Sequence, residues 1–287
     1  MGTHQILIHF PTVPHAERSP AQTTLALHMI AEAQKLGGKA VFIDAEHALD
    51  MKYASNLGVD IDDLLMSQPD SGEAALEIAD TLIRSQGVDI IVIDSVAALV
   101  PKAELEGDMG DPHMALQARL MSQALRKLSH SLARSQAVMV FLNQVRAKLS
   151  MGGWGGIQET TAGGKALKYY SSMRLDVRRI GGVKTGAEAI GDNVRIKVRK
   201  NKLAPPHREV VVELVYGKGI CKYGEMLDLG VANGVLRKSG AFYYRAGDQE
   251  NHIGHGREKT KAYLESNQEV AEEIRSEIRA SLERQAM

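Results

Sequence analysis

VDIIVIDSVAAL, residues 88–99, is the stretch whose reading decides the fold. Ile90 to Ile93 are apolar without interruption and lie between two aspartates, Asp89 and Asp94. A half-exposed strand would alternate apolar and polar residues, so an unbroken run reads as a central parallel strand covered on both faces. Working upstream, GEAALEIADTLIRSQG (72–87) reads as a helix, DDLLMSQP (62–69) as a short strand with a turn, ALDMKYASNLG (48–58) as a helix and KAVFIDAE (39–46) as a buried strand. Strand and helix therefore alternate, which predicts an α/β fold with a mostly parallel, twisted, doubly wound sheet flanked by helices.

The same pattern extends in both directions. Thr23 to Leu36 places Leu25, Met29, Ile30 and Ala33 on one helical stripe, ended by Gly37-Gly38. The first twenty residues offer one strand, Ile6 to Phe10, and then Pro11, Pro14 and Pro20, and the sequence leaves their order open. Downstream, DPHMALQARLMSQALRKLSHSLARS (111–135) is the longest expected helix, with Leu116, Leu120, Ala124, Leu128 and Leu132 near one face. AVMVFLNQV (137–145) is the next strand, followed by MGGWGGIQETTAGG (151–164), a glycine-rich loop too poor in apolar periodicity to be packing material. MRLDVRRI, NVRIKVRKN and EVVVELVY then alternate apolar and charged residues as half-exposed strands do. From Ile220 the chain reads as a small α+β C-terminal domain with an aromatic patch (Phe242, Tyr243, Tyr244) and a charged helix from Gln268. The expected organisation is an atypical leader at 1–22, a core at 23–219 and a small domain at 220–287.

Composition removes several classes of function. Lys+Arg and Asp+Glu number 35 each, so no overall basic field draws the chain to nucleic acid or membrane, and any DNA binding has to be local. A single cysteine, Cys221, excludes an intrachain disulfide. No apolar run approaches the roughly 20 residues that span a bilayer, and the start does not read as a secretory signal, so a cytoplasmic protein is expected.

Carboxylates at strand ends carry the chemistry. Asp94, closing IIVID, has the form of a Walker B residue that holds a magnesium ion or its water shell, although capping the next helix explains it equally well. Asp44-Ala45-Glu46 places a second carboxylate on the same sheet edge, able to orient a water for attack on a γ-phosphate. Asn143-Gln144 adds neutral amides suited to sensing a terminal phosphate, with satisfying a loop backbone as the alternative for Gln144. Before the first helix a phosphate cradle GxxxxGK[ST] is expected, yet Ala16 to Thr23 read AERSPAQT, without either glycine or the lysine. Pro20 has no amide proton, Ala21 resists positive φ and Gln22 brings no charge. Thr23 survives as a magnesium ligand or as a plain helix N-cap, and Thr24 follows it.

From Thr23 to the last helix the chain resembles the RecA family of bacterial recombinases, through FIDAEHALD, IVIDSVAAL, MSQALRKL, FLNQVR, ETTAGGKALKYY, RLDVRRIG, KNKLAPP and YGKGI. The resemblance implies a RecA-type fold and an ATP- and Mg2+-dependent helical filament on single-stranded DNA. Such a filament pairs its strand with homologous double-stranded DNA, exchanges strands and promotes self-cleavage of LexA-type repressors. It implies Glu46 as the water-activating residue, Gln144 as the switch coupling γ-phosphate to the DNA loop, and Thr23, Thr24, Asp50, Tyr53 and Asp94 around the nucleotide, with Thr23 and Asp94 at the metal. Lys200 and Lys202 would reach a neighbour's nucleotide; on physical grounds alone they are equally a solvated strand edge. For DNA the resemblance implies Met114, Arg119, Ser122, Arg126, Arg146, Lys148, Leu149, Gly163, Gly164 and Lys165, with Gln123 on the same helix face and Trp154 stacking on a base or latching its own loop.

The chain departs from this pattern at the cradle, at the family's N-terminal docking element and at its acidic tail, and its second DNA loop looks about two residues long. Weak filament formation and impaired ATP binding are expected. A shortened gene with a foreign leader, a non-enzymatic paralogue that binds DNA or modulates filaments, and an active recombinase with unusual phosphate contacts all fit the residues.

Overall fold

The computed structural model describes residues 4–11, 21–108, 115–148, 158–185, 188–248 and 251–286. Strands β1 (His4–Pro11), β2 (Ala40–Asp44), β3 (Leu64–Ser67), β4 (Ile90–Asp94), β5 (Val138–Lys148) and β6 (Gln158–Thr161) alternate with helices α1 (Ala21–Lys35), α2 (Met51–Asn56), α3 (Gly72–Ser85), α4 (Lys102–Leu105) and α5 (Leu116–Leu132). After α6 (Ala166–Tyr170) come the long strands β7 (Met173–Thr185), β8 (Glu188–Asn201) and β9 (Glu209–Val215), then the short β10 (Gly219–Ile220). Among the described residues the main sheet runs β10-β9-β8-β7-β1-β5-β4-β2-β3, with β6 added antiparallel to β5.

The unbroken apolar strands sit where their composition requires. β2 and β4 are buried along their whole length, and β4 pairs parallel with β2 on one side and β5 on the other. Leu7 and Ile8 of β1 are fully buried, and β1 is inserted in parallel between β5 and β7. The sequence left the order of residues 1–22 open, and 4–11 form a strand paired on both sides. One core joins Val41, Ile43, Ile91, Ile93, Met139 and Phe141 of the sheet to Ile83 of α3 and to Met121, Leu125, Leu128 and Leu132 of α5.

Two expected helical stripes are corrected. On α1 Ala26, Leu27, Ile30 and Ala31 are buried, with Ala21, Gln22 and Thr24 at its start, while Leu25, Met29 and Ala33 are only half-buried. Leu27 and Ile30 fill the inner face, and Ala26 and Ala31 beside them let the helix lie close to the sheet. On α5 the buried line is Met121, Leu125, Leu128 and Leu132, with Leu116, Leu120 and Ala124 partly covered. A strict four-residue spacing precesses around a helix of 3.6 residues per turn, so Leu120 and Ala124 pack against the rim of the core while Leu128 and Leu132 lie inside it.

The chain divides into two compact units. The first comprises residues 1–181, 193–211 and 217–219, and the second 182–192, 212–216 and 220–287. The second unit contains α7 (Lys222–Ala232), the antiparallel β11 (Leu236–Ser239), β12 (Phe242–Arg245) and β13 (His252–His255), α8 (Arg257–Ser266) and α9 (Gln268–Ala286). Its core is Leu227, Leu236, Tyr243, Leu264, Ala271, Ile274 and Ile278. Arg257 fastens it, pairing with Glu213 at 2.8 Å and Asp228 at 2.6 Å and donating to the Gly224 carbonyl at 3.2 Å. Its hydrogen bonds to Asp228 outweigh burial and hold the Arg257 guanidinium above its already high range.

Candidate functional site

Parallel pairing brings the chemical residues to one sheet edge. Asp44 and Asp94 are register partners at the ends of β2 and β4, and β1 carries His9 opposite Asn143 and Phe10 opposite Gln144 of β5. This is the carboxyl-terminal edge, where open α/β sheets place their ligands. Thr23 lies inside the first turn of α1 and donates from Oγ1 to Asp94 Oδ2 at 2.8 Å, so it is no N-cap. Asp94, only 9% exposed, thus faces α1, and Ser95 stands at the N-cap of the turn that follows; the Asp94–Ser95 peptide is cis.

Glu46 is the hub of the edge. Its Oε1 accepts from Ser95 Oγ at 2.5 Å and from Gln144 Nε2 at 3.3 Å. The two donors fix the direction of the carboxylate. Asn143 makes the loop contact instead, donating from Nδ2 to the Ala162 carbonyl at 3.1 Å. Asp44 is 2% exposed and held by Leu49 N and Gln68 Nε2, each at 3.1 Å, which makes it a fastener of the 45–50 turn.

Beside this edge, Thr24 Oγ1 and Tyr53 Oη are hydrogen-bonded at 2.7 Å. Burial raises the Tyr53 phenol above its ordinary range, and the bond to Thr24 offsets only part of that. Asp50 caps α2, accepting from Lys52 N at 2.9 Å and Tyr53 N at 3.1 Å. Lys200 donates from Nζ to the carbonyls of Lys168 and Tyr169, both at 2.9 Å, at the end of α6. Partial burial, and then the charges of Lys202 and Arg174, lower its pKa. Lys202 is exposed.

On α5, Arg119, Gln123 and Arg126 are exposed and Ser122 is half-buried, along the face away from Met121 and Leu125. β5 continues through Arg146 and Lys148 as a two-stranded extension, with Arg146 opposite Thr160 and Lys148 opposite Gln158. Gly163 and Gly164 both have positive φ, +71° and +75°, and Lys165 is exposed at the start of α6. A Cβ on Gly163 would meet Val96 Cγ1 at 2.9 Å, so this strap lies against the turn that follows Asp94. Met114, Leu149 and Trp154 lie outside the described residues, as do residues 16–20 of the cradle segment. Sequence reasoning missed Ser95, Asn143 as the loop tether, and Gln117. Each acts through one amide or hydroxyl whose partner is distant in sequence.

The fit to a nucleotide with magnesium is divided. Thr23 and Asp94 pair as ligands of a hydrated divalent ion require. Gln22 does not fit a triphosphate: it is 8% exposed, neutral, and its buried Oε1 meets no donor among the described residues.

A model of the RecA N-terminal domain matches residues 14–221, and one of the RecA C-terminal domain matches 224–283. The chain is 58% identical over 266 residues to Protein RecA of Gluconobacter oxydans, covering 93% of this chain and 76% of that protein. It is 57% identical over 267 residues to Protein RecA of Rhodospirillum rubrum, covering 93% of this chain and 72% of that protein. Its fold matches the crystal structure of the RadB recombinase with a TM-score of 0.52 and 14% identity, over 76% of this chain and 90% of that one. Among the described residues no helix is long and apolar enough to cross a membrane. The chain belongs to the RecA family of recombination and repair proteins.

Proposed function

We propose that this protein binds single-stranded DNA through the exposed face of α5 and the strap at Gly163–Lys165, and that it binds ATP and Mg2+ far more weakly than the family pattern implies. The observation that supports the DNA half is the line of Arg119, Gln123 and Arg126 on α5, a local positive stripe in a chain with no net charge. Phosphate contacts of this kind release counterions and make binding salt-dependent. Family membership extends the reading to pairing with double-stranded DNA, strand exchange, assembly with itself or a full RecA-family partner, and LexA-type repressors. Titration of a labelled oligodeoxythymidylate at several salt concentrations, without nucleotide, tests it; binding that ignores salt would refute it.

The second reading, a non-enzymatic relative that binds DNA or modulates filaments, is favoured by Gln22. A neutral side chain, buried with its carbonyl oxygen unmet among the described residues, stands where a phosphate charge needs a cation. Asp94 and Thr23 would hold the magnesium ion, and Glu46 would direct a water, only as far as a triphosphate enters.

A further inference from the structure

Gln117 sits in the first turn of α5 and joins three separate parts of the first unit with one amide. Its Nε2 donates to the carbonyls of Val96 at 2.9 Å and Leu99 at 3.1 Å, across the single 3-10 turn Val96–Ala98. Its Oε1 accepts from Gly163 N at 3.1 Å. On one side, that turn begins directly after Ser95, whose hydroxyl holds Glu46. On the other, the next strap residue is Ala162, tied to Asn143.

The surroundings make this amide the fastener of the junction. Ala115, at the N-cap of α5, has φ +64° and makes no side-chain cap bond. Gly163 is wedged between Val96 and Met121, where a Cβ would lie 2.9 and 3.0 Å from their side chains. Two donors and one acceptor are needed at once. Of the side chains of this length only glutamine supplies them in neutral form, since glutamate offers acceptors alone and methionine neither.

We propose that Gln117 is a positioning residue that couples the carboxylate edge to the DNA-binding surface. A shift of the Ser95–Leu99 segment reaches α5 and the Gly163 strap together, because the same amide grips all three. The inference rests on the assignment of α5 and the strap to DNA. It adds a second connection to the one through Gln144, anchored on backbone carbonyls and reaching the edge through the segment that begins at Ser95.

Hydrogen–deuterium exchange of the full chain, with and without a saturating oligodeoxythymidylate, tests the coupling. In the parent, DNA is expected to slow exchange in 116–126 and 161–165 and also in 96–100, the last by about tenfold, as the loss of one or two net hydrogen bonds in the opening equilibrium implies. Q117M is expected to keep the slowing in the DNA segments, to bind within about threefold of the parent, and to lose the slowing in 96–100. Q117E, which retains an acceptor for Gly163 N, is expected to do the same and guards against a folding defect in Q117M. Undiminished slowing of 96–100 in either variant overturns the coupling and leaves the DNA assignment standing. A parent in which no segment responds to DNA overturns the assignment, and the coupling with it.

Discussion

Gln144 on β5 donates its side-chain amide to Glu46, after β2, at 3.3 Å, although 98 positions separate them in sequence. The pair spans β4, which lies between their strands in the sheet. A double-mutant cycle with Gln144→Met and Glu46→Leu is expected to give a coupling of about 1.5 kcal/mol in urea unfolding, the low end of the range for one hydrogen bond to a charged group, because the contact is long at 3.3 Å. Strictly additive effects would mean that the contact does not hold in solution.

Replacing Arg119 and Arg126 together by alanine should weaken single-strand binding and reduce the slope of log affinity against log salt by about one unit for every phosphate no longer neutralised. Both arginines are exposed, so the melting temperature should stay nearly unchanged. A double variant that binds like the parent would remove α5 from the DNA surface.

For ATP, one charge-assisted contact contributes roughly 1.5–3 kcal/mol, so losing the lysine and several amides costs about 4 kcal/mol, near a thousandfold in affinity. No DNA-stimulated ATPase above background is expected, and Gln22→Lys alone should not restore it, because Pro20 and Ala21 still shape the backbone. Exchange of residues 16–22 for a glycine-rich cradle ending in Gly-Lys should restore binding of a fluorescent ATP analogue. Micromolar binding by the parent would contradict the argument.

Acid should loosen α3 from α5 through Asp80. Burial alone would raise this carboxyl, but hydrogen bonds from Ser131 at 2.7 Å and Lys127 at 3.0 Å, with the charges of Lys127 and Arg84, hold it below the ordinary 3.8. Because its folded value is depressed, the stabilisation is complete above the unfolded value and is lost as pH falls through the folded one. Stability should therefore decline below about pH 4, and Asp80→Asn should flatten that decline while lowering stability at neutral pH. Parallel acid titrations of the two proteins by circular dichroism would decide it.

The parallel core was legible because each of its strands announces itself locally. Ile90 to Ile93 need no partner to be read as buried, and Asp94 at the strand's end is fixed to the edge by the topology. Gln117 was not legible, since a glutamine amid leucines on an amphipathic helix looks like a solvent residue, and its role depends on carbonyls that only the folded turn brings near. The α1 and α5 stripes were only partly right, with Ile30, Leu128 and Leu132 inside, for a related reason: spacing shows that a helix has an inner face, but the sheet beneath it determines which rotation is chosen.

Strand β1 carries a kinetic consequence. It pairs Leu7 with Phe141 on one side and with Arg174 on the other, so a strand synthesised before both of its neighbours is among the last that can be seated. Until β5 and β7 exist it has no neighbour, and closing such long loops makes for a high contact order and slow folding. While it waits, β5 and β7 each present an open edge at the middle of the nascent sheet, where aggregation competes most strongly.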